Sequence, residues 1–429
     1  MKNFSFYSLG CKLNFSEASS IAGDMKKAGY IQVDSTESPN ICFINTCTVT
    51  QSADRKSKQA IKRIIKKYPE AFVVVTGCLA QISVEELAKI DGVDLILGNN
   101  EKFDILKYLD KVIKNKAPEI FNENIMGQDE FNPSFSLSDR TRSFFKVQDG
   151  CDYKCSYCII PHARGKSRNI SIKNTLSIAK NITKSDVKEI VLSGVNVGDF
   201  GKSTNERFVD LIKALDELSG IERFRISSIE PDLLTDEIVD FIAKSKSFVP
   251  HFHIPLQSGS GRILKLMKRR YGVSTFTNRI NIIHSIMPLA CIGVDIITGF
   301  PGETDEDFQE TYEYLKLIDI SYIHVFPYSE RNNTYSVKMH PKINSEKIKK
   351  RKKILQYLSE EKKKKFYKKN IGQTANVLFE SGELSGGLTG FTTNYIKVEI
   401  PYDKGKLNTI MSVKLKGIIE NGNMSCEFL

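Results

Sequence analysis

Three cysteines fall within eight residues in Cys151-Asp-Tyr-Lys-Cys155-Ser-Tyr-Cys158. A loop this dense in thiols can wrap one face of an iron–sulfur cluster, because such clusters are held by cysteine thiolates and close spacing lets one loop supply several. Three ligands leave one iron open, and an open metal position can chelate a substrate or cofactor. Zinc is the alternative, since His162 follows at a spacing that completes a Cys3His set. Pro161 and the basic segment HARGKSR (162–168) read better as a substrate-facing loop than as a zinc finger.

Three more cysteines share a position rather than a motif. Cys11 follows FSFYSLG, Cys47 follows ICFINT and Cys78 follows FVVVTG, so each closes a strand-like run. If those strands are parallel neighbours about 4.8 Å apart, the thiols converge on the carboxyl rim of one sheet, where open α/β domains bind ligands. A second three-ligand site is therefore expected. Cys42 lies inside an apolar run, Cys291 begins a buried-looking strand and Cys426 lies in the terminal strand, and all three are assigned to packing.

The elements that must position these residues follow an alternating pattern. Apolar runs at 4–9, 41–45, 72–77 and 94–98 are separated by helix-like stretches, which predicts a parallel sheet covered by helices over residues 1–113. Residues 114–136 are polar and without period, and read as a linker. The alternation restarts at 143 and gives six strands by 328. Six βα units predict an open partial barrel over 137–368, because a closed eight-unit barrel needs about 250 residues. Short β-rich runs over 369–429 predict a small barrel.

The chain has 429 residues, 41% of them hydrophobic, enough for several cores. The net charge of +11 favours an anionic partner. The excess is local, since residues 341–369 hold 13 basic and 3 acidic side chains. No apolar run approaches the ~18 residues of a membrane span, and the first residues lack the apolar core of a signal peptide. A cytoplasmic, membrane-free protein with reduced thiols is expected, and nine cysteines, an odd number, fit no disulfide framework.

LGCKLN around Cys11, NTCTVT around Cys47, TGCLAQ around Cys78 and QDGCDYKCSYCIIPHARGKSRN around the cysteine loop resemble the radical S-adenosylmethionine methylthiotransferases. The resemblance covers essentially the whole chain. LILGNNEK (95–102), RTRSFFKVQDGC (140–151) and GFTTNYIKV (390–398) are most similar to the branch acting on threonylcarbamoyladenosine of tRNA. Branches acting on isopentenyladenosine or on a ribosomal protein are the alternatives, and a zinc-stabilised RNA-binding protein is an alternative of another class.

The resemblance implies a flavodoxin-like N-terminal domain, a (βα)6 partial TIM barrel as radical core, and a terminal TRAM barrel that binds RNA. It implies two 4Fe-4S clusters, an auxiliary one on Cys11, Cys47 and Cys78 and a radical one on Cys151, Cys155 and Cys158. Other implied partners are S-adenosylmethionine, tRNA and an electron donor. The reaction would replace the C2 hydrogen of the modified adenosine at position 37, next to the anticodon, with a methylthio group, and no general acid or base is assigned. Cofactor contacts are expected from Tyr157, from Gly194, Val195 and Asn196, from Ser228 and Glu230, from His253, Gln257 and Ser258, and from Gly299. RNA contacts are expected from Arg140, Arg142, Arg164, Lys166 and Arg168 beside the cysteine loop, from lysines 362–365, 368 and 369, and from Asn394, Tyr395 and Lys397.

Overall fold

The structure, a computed structural model, describes residues 2–34, 37–109, 114, 117–137, 141–381 and 387–429. Six strands form the first sheet: β1 (Asn3–Ser8), β2 (Ile31–Gln32), β3 (Ile41–Thr46), β4 (Phe72–Gly77), β5 (Leu95–Leu97) and β6 (Glu119–Phe121). Their order is β2-β1-β3-β4-β5-β6 and every pairing is parallel. All six residues of β3 and all six of β4 are buried, as a parallel sheet covered on both faces requires. Alternation sorts them. Val73 and Val75 pack with Ile61 and Ile64 of the helix Gln51–Lys67, whereas Phe72 and Val74 pack with Ile21 and Met25 of the helix Lys12–Lys27.

The segment 114–136, expected as a linker, instead adds a strand to each neighbouring sheet. β6 lies within it, and β7 (Ser134–Phe135) pairs antiparallel with β8 (Arg142–Lys146). Two- and three-residue edge strands are too short to show a period in sequence.

The second unit has the six expected parallel strands: β8, β9 (Glu189–Ser193), β10 (Arg223–Ile226), β11 (His251–His253), β12 (Cys291–Thr298) and β13 (Tyr322–Pro327). β8-β9-β10 and β11-β12-β13 are two ladders, joined by a bridge between Phe224 and Phe248 and by Ile229 N–H donating to the His253 carbonyl at 3.0 Å. Ile190, Leu192, Phe224, Phe252, Ile292 and Val294 share one core with the covering helices. Among the described residues no strand pairs with the far side of β13, so the barrel stays open there.

The helix Ser345–Lys369 lies along β13 with Leu355 and Leu358 buried. After it β14 (Thr374–Ser381), β15 (Gly387–Thr392), β16 (Lys397–Pro401), β17 (Ile410–Ile418) and β18 (Met424–Phe428) close a barrel in the order β14-β15-β16-β18-β17. This barrel seals the amino ends of the core strands. Tyr395, held at φ 65°, stacks on His251 with ring centroids 4.4 Å apart, and the Arg225 guanidinium lies 4.8 Å from its centroid. Arg142 pairs with Glu380 at 2.8 Å, and Arg223 donates to the Asn376 and Phe391 carbonyls.

Candidate functional site

Each sheet carries one set of three cysteines at its carboxyl edge. In the first, Cys11 precedes the helix Lys12–Lys27, Cys47 follows β3 and Cys78 opens the helix Cys78–Ile82 after β4. Glycine makes the approach possible: a Cβ on Gly10, at φ 103°, would sit 2.9 Å from Cys47 Sγ. Asn14 knits the loops, donating from Nδ2 to the Leu9 and Thr46 carbonyls at 2.8 and 2.9 Å and lying 4.0 Å by Oδ1 from Cys78 Sγ. Burial pushes the Cys47 thiol up to about 11, with Cys78 and Cys11 adding to it.

In the second sheet Cys151, Cys155 and Cys158 occupy the loop after β8. Gly150, at φ 69°, lets the chain turn against the segment 165–168, where a Cβ would fall 1.9 Å from the Lys166 carbonyl oxygen. Asp149 and Arg168 bridge there, and Cys151 N–H donates to the Gly165 carbonyl at 3.0 Å. Arg269 donates to Cys155 Sγ at 3.2 Å and pairs with Glu230. Burial pushes Cys151 and Cys158 up to about 12. Thiolates are therefore expected at neutral pH only when a cation compensates them, which suits a metal cluster.

Near the carboxyl ends of β9, β10 and β12, three residues carry buried polar side-chain atoms without a protein partner among the described residues. Both side-chain atoms of Asn196, the hydroxyl of Ser227 and that of Thr298 are unpaired, and they follow or end β9, β10 and β12. Buried polar groups are nearly always hydrogen-bonded, so a polar ligand fits this rim. Asn196 is held by its backbone N–H donating to Gln148 Oε1 at 2.9 Å. Gly194 packs against the same side chain, where a Cβ would lie 2.8 Å from Oε1. Burial pushes Glu230 up to about 7, against the opposing pull of Arg269. Tyr157 is half-buried, edge-to-face on Phe300 at 6.3 Å, while Val195 and Ser228 are half-buried at the ends of β9 and β10.

Several residues expected at the cofactor have partners within the chain. Ser258 is buried and bonds Thr311, away from the rim. The Cβ position of Gly299 is filled by Ile348 at 2.3 Å, so helix packing explains that glycine. Gln257, at φ 71°, binds β12 through its backbone, its N–H donating to the Asp295 carbonyl at 2.7 Å.

The expected RNA contacts need more correction. Arg140 lies outside the described residues. Arg164 is 2% exposed, donates to Asn14 Oδ1 at 2.7 Å and bonds Glu17 and Asp149. Arg168 is buried against the Glu130 and Arg164 carbonyls. Arg142 and Tyr395 hold the terminal barrel to the core, as described above, and Asn394 is buried against Leu289 and Asn370. Lys362 is buried and caps the preceding helix through the Lys316 carbonyl at 2.9 Å, and Lys369 pairs with Asp319 at 2.7 Å. Lys166 and His162 are exposed and Lys397 is half-buried.

Arg164 has another office. It leaves the cysteine loop six residues after Cys158 and ends on the first domain, where Glu17 also takes Lys102 at 2.6 Å and Lys146 at 2.9 Å. Asn99 completes the join, donating to the Ala163 carbonyl at 2.7 Å and approaching Cys78 Sγ at 3.7 Å. Arg164, Glu17 and Asn99 thus tie the segment that follows Cys158 to the domain that carries Cys11, Cys47 and Cys78.

Family models match two stretches: the Radical SAM superfamily over residues 145–315 and the uncharacterized protein family UPF0004 over 3–98. The threonylcarbamoyladenosine tRNA methylthiotransferase MtaB of Bacillus subtilis (strain 168) is 36% identical over 97% of this chain and 94% of the relative. The Aquifex aeolicus (strain VF5) protein of the same name is 37% identical over 92% and 95%. The chain belongs to the radical SAM methylthiotransferase family. It is a transferase that works with 4Fe-4S clusters and S-adenosylmethionine. A tRNA-2-methylthio-N(6)-dimethylallyladenosine synthase of Clostridium botulinum (strain Hall / ATCC 3502 / NCTC 13319 / Type A) is 30% identical over 95% and 92%. Among solved structures, the radical S-adenosylmethionine methyltransferase TsrM of Kitasatospora setae aligns with a TM-score of 0.55 at 13% identity, over 76% of this chain and 73% of that one. That likeness concerns the fold alone. No helix among the described residues is long and apolar enough to cross a membrane.

Proposed function

We propose that this methylthiotransferase converts N6-threonylcarbamoyladenosine at position 37 of tRNA to its 2-methylthio derivative in the cytoplasm. The observation that carries the chemistry is the pair of three-cysteine sites, one at the carboxyl edge of each sheet, with Arg164 tying the loop of one to the domain of the other. The substrate rests on full-length likeness to relatives named for threonylcarbamoyladenosine, at 33–37% identity, above those named for dimethylallyladenosine at 30%.

Cys151, Cys155 and Cys158 would hold the radical cluster, and Cys11, Cys47 and Cys78 the auxiliary one. When bound, the cofactors supply the radical that removes hydrogen from C2 and the sulfur that replaces it. Asn196 and Ser227 offer hydrogen bonds to S-adenosylmethionine, with Gly194 and Val195 shaping the backbone beside them. Arg269 orients Cys155 and Glu230 together. Exposed Lys166, half-buried Lys397 and the helix lysines 363–365 and 368 are the retained sites for phosphate contact, where a lysine acts without sequence choice. An electron donor of low potential is required for the clusters.

Mass spectrometry of tRNA nucleosides after anaerobic reaction with the reconstituted enzyme tests the assignment. The expected product is the 2-methylthio derivative of threonylcarbamoyladenosine. Product only on isopentenyladenosine-containing tRNA would sink the substrate assignment.

A further inference from the structure

Inside the partial barrel, β11, β12 and β13 place three titratable side chains together. His253 Nε2 lies 2.8 Å from Asp295 Oδ1, and His324 Nδ1 lies 3.4 Å from the same oxygen. Register explains the meeting. Asp295 is directly opposite His324, His253 is opposite Gly293, and alternation puts all of these positions on one face. The other face carries Ile292, Val294 and Ile296, buried under the helices, so the triad faces the lumen. The cofactor rim adjoins it, since Ile229, the neighbour of Glu230, donates its N–H to the His253 carbonyl at 3.0 Å.

Asp295 engages Nδ1 of His324, leaving Nε2 with no protein partner among the described residues, and the side chain is 51% exposed. His324 also lines the groove of about 630 Å³ beside the open edge of β13, together with Phe326, Lys353 and Tyr357. With Nδ1–H donated to Asp295, Nε2 donates outward when the ring carries both protons, and an imidazolium held this way is built to bind an anionic acceptor. Lys353 and Glu360 both line this groove, and an anion would sit on the side that Lys353 shares with His324. Of the two nucleosides named for the relatives, one carries a carboxylate on its N6 substituent and the other only an apolar chain.

We propose that His324, positioned by Asp295 and flanked by His253, binds the threonyl carboxylate of the target nucleoside and thereby selects it. This rests on the substrate assignment above. A site that hydrogen-bonds a substrate group rejects analogues lacking it, because its own polar atoms are then left unpaired.

The test compares initial rates on tRNA bearing threonylcarbamoyladenosine with rates on the same tRNA carrying its methyl ester. The wild-type enzyme is expected to prefer the acid by about tenfold or more, mainly through KM. His324→Phe should lose that preference with unchanged iron content, and His324→Gln, which keeps a hydrogen bond, should retain part of it. Asp295→Asn should weaken it less than His324→Phe. Equal acid-over-ester preference in wild type and in whichever of His324→Phe and His324→Gln folds would overturn the proposal. So would a stoichiometric non-cluster divalent metal found in the wild type and absent from the His324 variants, since the three ligand atoms lie within 4.8 Å of one another. A wild type active only on isopentenyladenosine would overturn the substrate assignment first, and this proposal with it, whereas activity on both acid and ester leaves that assignment standing.

Discussion

The two cysteine sites hold the same donors by different means. Cys151, Cys155 and Cys158 sit on one loop, and their separation is set by chain spacing and by the turn at Gly150. Cys11, Cys47 and Cys78 are separated by 36 and 31 positions in sequence and meet only because β1, β3 and β4 are neighbours in a parallel sheet. The first set depends on local geometry, the second on sheet order. A substitution that disturbs packing in the first domain should therefore dismantle the second set while sparing the first.

The largest effect expected is from Cys155→Ala. Loss of one radical-cluster ligand should abolish cleavage of S-adenosylmethionine to 5′-deoxyadenosine, and iron should fall by about four per chain; retained cleavage in a folded variant would refute the assignment. Cys47→Ala should leave that cleavage measurable and stop methylthio product, and product made without the auxiliary site would erase the division of labour. Arg164→Ala acts on both sites at once. It leaves Glu17 and Asp149 buried with weakened compensation, so the loss of stability should be about 3–5 kcal/mol by denaturant titration; a loss under ~1 kcal/mol would show that the two sites are not mechanically joined.

Acid should weaken the same join. Burial alone would raise the pKa of Asp149, but Arg164, Lys146 and Arg168 outweigh it and hold the group at about 2. A depressed native value adds stability above the ordinary carboxylate range near 4, which is lost as pH falls through about 2. Thermal melts between pH 5 and 2 should show this slope flattened in Asp149→Asn. The smallest effect is expected from Lys166→Ala: a several-fold weaker tRNA affinity and a salt slope lower by about one.

Much of this was legible in the sequence. The runs FVVVTG and ICFINT gave both strand and thiol position, because a buried parallel strand is continuously apolar and its end is where a ligand sits. Side-chain direction was less accessible. The sequence pattern points to Ser228 at the rim, whereas the unpartnered hydroxyl there belongs to Ser227, one residue earlier. A one-residue offset reverses the face of a strand, and composition does not encode it. Arg164, Arg168 and Tyr395 were read as RNA contacts because arginine and tyrosine near a cysteine loop or a terminal barrel suit nucleic acid. Their burial follows from partners such as Glu17 and His251, distant in sequence and carrying no motif. Arg269 was missed for the same reason: nothing in LMKRRYG (266–272) announces that it reaches Cys155.

The seat of Tyr395 on His251 and Arg225 bears on how such a protein could be recombined. The terminal barrel is the floor of the core, so a chimera carrying a foreign barrel would inherit a hole beneath the strands and leave Arg225 and Glu189 to water. Exchange of the barrel is expected to succeed only when the donor also brings the first residues of β9, β10 and β11. Crossover points in engineered hybrids belong inside the core's loops, well before the boundary at which the two units look separable.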